Sequence, residues 1–146
     1  MSGGLVIRLR PHEKFLVNGV VLENGEKRAK LRIKSQDANL LRLRDALHPN
    51  EATTPVKRLY YVAQLIVTGD LKPDEGATEL ISGLNALYDA LPEKECRDIV
   101  DQTQKHLNNK AFYQVMRSLK ALFPHEEKLL LIARANELRQ LGESEA

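Results

Sequence analysis

Two Asn-Gly pairs, Asn18-Gly19 and Asn24-Gly25, sit six residues apart between short apolar runs, and they restrict what the first third of this chain can fold into. A type I′ hairpin turn needs positive φ at two consecutive residues, and Asn-Gly adopts it at the least steric cost. The runs around these pairs, residues 5–10, 14–17, 20–22, 27–34 and 40–44, are short, rich in Val, Ile and Leu, and partly alternating. Pro11-His12 and the polar stretch 35–39 separate the rest. The pattern predicts an antiparallel β meander, or a sandwich-like lobe, over residues 1–54.

From Thr54 onward the apolar period lengthens to that of a helix. Thr54 before Pro55 reads as an N-cap followed by proline at the first helical position. Leu59, Val62, Ala63 and Ile66 then recur at helical spacing as far as Gly69, with a strand over residues 59–62 as the alternative. Pro73-Asp74-Glu75 opens a second helix, whose stripe of Ala77, Leu80, Ile81, Leu84, Leu87, Tyr88 and Leu91 is closed by Pro92. Cys96, Ile99, Val100, Thr103 and Leu107 form a weaker stripe, and Phe112, Val115, Met116, Leu119, Leu122 and Phe123 a stronger one. Pro124 interrupts it, and a last helix runs to about Leu141. The expected class is therefore α+β: a β-rich lobe over 1–54, a packed bundle of about four helices over 55–141, and a frayed tail over 142–146. With three Phe, four Tyr and no Trp, the core has to come from Leu, Ile, Val and Ala.

A net charge of +2 hides two unlike halves. Residues 1–58 hold twelve Lys and Arg against six Asp and Glu, and the remainder holds ten against fourteen. A basic half is a candidate surface for a polyanion. Strand alternation says which cations share it, because successive side chains point to opposite faces. Leu5, Ile7 and Leu9 oppose Arg8 and Arg10; Ala29, Leu31 and Ile33 oppose Arg28, Lys30, Arg32 and Lys34; Leu41 and Leu43 oppose Arg42 and Arg44. If the apolar sides meet one core, eight cations share the outer face. The competing reading is a solvated face whose charges keep strand edges from aggregating. Lys57 and Arg58 beside Tyr60 and Tyr61 are the one place where cations and rings adjoin, and they are candidates for additional contacts, although at least one tyrosine is better explained as core.

No catalytic constellation stands out, and no enzyme is expected. Gly3-Gly4, the only glycine pair, opens no helix and makes no phosphate loop. His12, His48, His106 and His125 are scattered, so a metal site would need a tertiary coincidence. None is expected, nor is a cofactor. His12-Glu13 reads as a turn with a surface carboxylate, Thr53-Thr54 as a helix start, and Cys96 as core. The longest apolar run, 129–133, is five residues, far short of the roughly 20 that span a bilayer, and Met1-Ser2-Gly3-Gly4 leads into a strand rather than a signal peptide. A single cysteine cannot form an internal disulfide. A cytoplasmic location away from membranes is the expectation.

The run His12-Glu13-Lys14-Phe15-Leu16-Val17-Asn18-Gly19-Val20-Val21-Leu22-Glu23-Asn24-Gly25-Glu26-Lys27-Arg28, followed by Ala52-Thr53-Thr54-Pro55-Val56-Lys57-Arg58-Leu59-Tyr60-Tyr61, resembles the FlbT family of bacterial flagellum-biosynthesis repressors. The likeness covers the whole chain in layout, and its specific stretches lie within residues 12–61. Position 12 departs from the family pattern, which carries glycine at that turn. The resemblance implies a post-transcriptional regulator that associates with the 5′ untranslated leader of a flagellin mRNA and promotes its degradation or represses its translation. It brings no catalytic residues with it. The alternative is a helical interaction module that binds a flagellin-related chaperone or regulator without touching RNA.

Overall fold

A computed structural model describes residues 5–18, 20–35 and 40–145. Five strands come first: β1 (Leu5–Leu9), β2 (Lys14–Val17), β3 (Val20–Glu23), β4 (Ala29–Ile33) and β5 (Leu40–Arg42). Two 3-10 turns, Leu43–Asp45 and Pro49–Glu51, lead into α1 (Pro55–Thr68), α2 (Pro73–Ala90), α3 (Lys94–Asn108), α4 (Phe112–Lys120) and α5 (Phe123–Glu145). The α+β class and the order of its parts are as the sequence predicts.

The strands do not follow one another as a single meander. They form two sheets, β1-β4 and β3-β2-β5, all pairs antiparallel. The first Asn-Gly pair behaves as expected: Val17 faces Val20 across a two-residue link, and Asn18 has φ 50°. Gly19 lies outside the described residues. The second pair is not a hairpin turn, since neither Asn24 nor Gly25 takes positive φ. Asn24 instead ties the β1–β2 turn to the β3–β4 connection. Its backbone N–H donates to the Glu13 carbonyl (2.9 Å), and its Nδ2 donates to the carbonyls of Arg10 (2.8 Å) and Lys27 (2.9 Å). The His12 N–H donates to Gly25 O (2.9 Å). The chain therefore leaves the second sheet at Glu23 and crosses to pair β4 with β1.

Burial explains the crossover. The second sheet is a middle layer, apolar on both faces. Phe15 and Leu40 meet Ile7 and Leu9 of the first sheet, with Val17 and Ile33 packed alongside. Leu41, only 1% exposed, and Leu16 meet the helices. Separating the strands into two layers covers both faces of the sheet where β5 runs beside β2, while β3 at the edge stays exposed, Val20, Val21 and Leu22 included.

Helix α1 forms where the sequence places it. Thr54 Oγ1 accepts from the Lys57 N–H (3.3 Å), Pro55 opens the first turn, and Gly69 ends the helix at φ 84°, a backbone conformation glycine adopts without penalty. The strand alternative for residues 59–62 is not taken, because Leu59, Tyr60, Val62, Ala63 and Ile66 are all buried at helical period. α2 lies close against α1: a Cβ at Gly83 would overlap the Leu59 side chain. Leu80 and Leu84 of α2, Val100 of α3 and Val115, Met116 and Leu119 of α4 complete the core.

α5 is anchored at its root. Glu126 is buried, and its Oε2 accepts from the Val56 N–H (2.9 Å), satisfying a first-turn amide of α1. Beyond it, residues 127–142 are all exposed, including Leu129, Leu130, Leu131, Ile132, Leu138 and Leu141. The helix continues through Gly142 to Glu145, into the segment expected to fray. Among the described residues no helix is long and apolar enough to cross a membrane.

Candidate nucleic-acid interface

The β1–β4 register sets the outer face. Arg8 lies directly opposite Lys30 and Val6 directly opposite Arg32, so Arg8, Lys30 and Arg32 project to one side, with Ile7 and Leu9 to the other. Directly opposed side chains in an antiparallel pair have Cβ atoms about 5 Å apart, and like charges there repel. Arg10 follows β1 in the same alternation, and Arg28 and Lys34 flank β4. All six cations are exposed, and among the described residues none of them has an ion-pair partner.

The other two members of the expected set of eight sit elsewhere. Arg42 is opposite Phe15, on the side of the second sheet that faces the first. Its Nη2 donates to the Arg8 carbonyl (2.9 Å) and its Nε lies 3.7 Å from Glu13 Oε2, with 15% and 8% of the two side chains exposed. Glu13 Oε1 accepts from the Arg10 N–H (3.0 Å). Arg42 is thus a tie between layers, not a surface cation. The simple alternation fails in β5 because Leu40 and Leu41 are both buried, one toward each neighbouring layer. Arg44 belongs to the 3-10 turn after β5, with its Nε 3.9 Å from Asp45 Oδ1.

Arg44 opens onto a cleft of about 690 Å³ between β1, the β5 turn and α4. Arg117 and Lys120 of α4 line it, with Tyr113, Gln114 and Val6. Val6 also sits opposite Arg32, so the cleft adjoins the cationic strand face. Asp45 organises its floor. Its Oδ2 accepts from Tyr113 Oη (2.7 Å), its Oδ1 lies 3.4 Å from Lys120 Nζ, and its carbonyl accepts from Tyr60 Oη. Burial, then the hydrogen bond to Asp45, pushes the Tyr113 hydroxyl pKa up to about 12. Burial, with the Asp45 charge beside it, raises Tyr60 in the same direction.

Of the four additional candidates, Tyr60 is core, packed edge-on against Phe123 at 5.2 Å between ring centroids. Lys57 holds its ammonium 5.7 Å from the same ring. Arg58 is exposed and lines a groove between α1 and α2, and Tyr61 is half-buried. Among the described residues neither forms a hydrogen bond or ion pair with a group on the cationic strand face. Arg117 and Lys120 escaped the sequence reading because they lie in the acidic half. Their signal was a cationic i, i+3 pair on the polar side of the Phe112–Phe123 stripe.

What the geometry defines is an α+β protein with a cationic strand face running into a basic cleft. The family model for the flagellar protein FlbT matches residues 5–130, and the chain belongs to the FlbT family. It is 31% identical over 127 residues to a probable flagellum biosynthesis repressor protein FlbT of Rhodopseudomonas palustris, covering 86% of this chain and 97% of that one. It is 25% identical over 126 residues to the flagellum biosynthesis repressor protein FlbT of Caulobacter vibrioides, covering 86% and 89%. A Bradyrhizobium diazoefficiens relative with a like name is 29% identical over 126 residues, covering 86% and 84%. No solved structure matches the chain.

Proposed function

We propose that this protein is a cytoplasmic regulator of flagellum biosynthesis that binds the 5′ untranslated leader of a flagellin mRNA and lowers its expression, by promoting its degradation or blocking its translation. The relatives named as flagellum biosynthesis repressors support the regulatory part. The RNA part rests on one observation above all: Arg8 stands directly opposite Lys30, beside Arg32, and among the described residues no carboxylate pairs with any of them. Phosphates relieve that repulsion and release condensed ions as they do so. Backbone contacts carry no sequence information, so the leader is distinguished by its shape or by groups in the cleft. The protein acts by occupying the leader, without bond chemistry, cofactor or metal in the repression itself.

The test is a salt titration of purified protein with leader and scrambled RNA. Five phosphate contacts to a single strand give a log–log slope of about −3.5. A flat titration, or equal affinity for the scrambled strand, overturns the proposal. A second reading has its own observation, the bare apolar α5, which suits a docking helix for a flagellin-related chaperone or regulator. Changing Arg8, Lys30 and Arg32 together to Glu separates the two: loss of leader binding with partner binding retained supports the first, and the reverse supports the second.

A further inference from the structure

The four histidines are scattered in sequence, yet the fold supplies the tertiary coincidence a metal site would require. Glu93 is the N-cap residue of α3, Cys96 lies one turn further on, and His125 comes from the first turn of α5. A carboxylate oxygen, the thiol sulfur and a ring nitrogen from these three all lie within 4.8 Å of one another. Glu95 Oε1 lies 3.7 Å from His125 Nε2, outside that cluster of three.

We propose that Glu93, Cys96 and His125 form a zinc-class divalent metal site that pins the root of α5 to the start of α3, with water as the fourth ligand. Zinc bonds of about 2.0–2.3 Å in a tetrahedron put ligand atoms roughly 3.3–3.8 Å apart. The three ligand atoms lie within 4.8 Å of one another, and rotation of the exposed Glu93 side chain brings them to that span. A mixed sulfur, nitrogen and oxygen set selects zinc or cobalt over magnesium and calcium, which take oxygen alone.

Accessibility is graded as a site needs. Cys96 is 1% exposed and forms the inner wall, the His125 side chain is 25% exposed, and that of Glu95 is 73% exposed at the mouth. The nearby cation Arg97 is turned away: its Nε donates to the Tyr88 carbonyl (3.1 Å) and its guanidinium stacks on the Tyr88 ring. The positive end of α3 favours the Glu93 carboxylate, whereas burial and the charges of Glu93 and Glu95 hold the Cys96 thiol protonated until the metal's own charge displaces its proton. When the metal binds, the Cys96 S–H bond breaks, its proton leaves to solvent, and the thiolate pair forms the metal–sulfur bond.

The experiment titrates the full chain with Co²⁺ alone and then displaces it with Zn²⁺. The expected result is one cobalt per chain, a thiolate-to-cobalt charge-transfer band in the near ultraviolet, loss of that band on adding zinc, and a higher melting temperature with either metal. His125→Gln and Glu93→Gln, both at accessible positions, should each weaken cobalt binding at least tenfold. Cys96→Ala should abolish the band, and since that side chain is core, the two surface variants decide the matter if it fails to fold. No charge-transfer band at stoichiometric cobalt, or a band unchanged in both surface variants, overturns the site.

Discussion

The Tyr113 hydroxyl donates a 2.7 Å hydrogen bond to Asp45 Oδ2 across 68 positions of sequence, joining α4 to the turn that follows β5. Because the acceptor is a carboxylate, removing the donor costs more than an ordinary hydrogen bond. Tyr113→Phe is expected to destabilise the fold by about 1–2 kcal/mol, read as a lower urea midpoint at unchanged slope. Lys120, also on Asp45, limits the loss.

The same residue has a pH signature, set by the burial of its hydroxyl first and by the bond to Asp45 second. The Tyr113 pKa rises from 10.0 to about 12 on folding, so above pH 10 the unfolded chain gives up this proton while the folded chain keeps it. Stability from this group is complete below pH 10 and is lost as pH climbs to about 12. Urea midpoints measured across that window should fall more steeply for the natural protein than for Tyr113→Phe. Equal slopes would show that the Tyr113 hydroxyl is neither buried nor bonded to Asp45 in solution.

His12 occupies a turn at φ 60°. A residue with a Cβ pays roughly 1–2 kcal/mol in that region, and part of a glycine's advantage is returned through its freer unfolded chain. His12→Gly keeps the backbone N–H that donates to Gly25 O, and should stabilise the protein by about 0.5–1 kcal/mol, measured as a rise in melting temperature.

Glu126 was legible only as a polar position on the last helix, yet it is 6% exposed and accepts from the first turn of α1. Glu126→Ala leaves the Val56 N–H buried without its acceptor and should cost about 1–3 kcal/mol. Glu126→Gln retains an acceptor oxygen and should cost less. Hydrogen exchange at Val56 is the local readout, and it should accelerate more in the alanine variant than in the glutamine one.

What could be read in advance was local, and what could not was tertiary. Thr54, Pro55, Gly69 and Pro124 mark helix ends through their own backbone preferences, and Leu80, Leu84 and Leu87 mark a buried face through spacing alone. Asn18-Gly19 declares its hairpin for the same reason. Asn24-Gly25 carries the same signal, but its backbone is committed to Glu13 and His12 by long-range pairing that no local preference encodes. The outward cations of β1 and β4 follow from alternation because one face of that sheet is open. Arg42 does not, because its strand is covered on both sides. Arg117 and Lys120 join the cleft only through helix packing, as Glu93, Cys96 and His125 meet only through the docking of α5 on α3.

That difference between Arg42 and its neighbours in sequence gives a test of the interface on two separate axes. Arg42→Met strands the buried Glu13 carboxylate and removes the donor to the Arg8 carbonyl. Breaking a buried pair from one side costs about 3–5 kcal/mol, so this variant should unfold at much lower denaturant or fail to accumulate. Arg8→Gln, Lys30→Gln and Arg32→Gln remove exposed charges that have no ion-pair partner among the described residues, and each should change stability by less than about 0.5 kcal/mol. Relief of the Arg8–Lys30 repulsion even favours a small gain for the first two. Each should instead reduce the salt slope of leader binding by about 0.7, leaving the preference for leader over scrambled strand unaltered. Were the three glutamine variants to lose stability and keep the slope, those cations would be structural, and the strand face would not be where RNA lies.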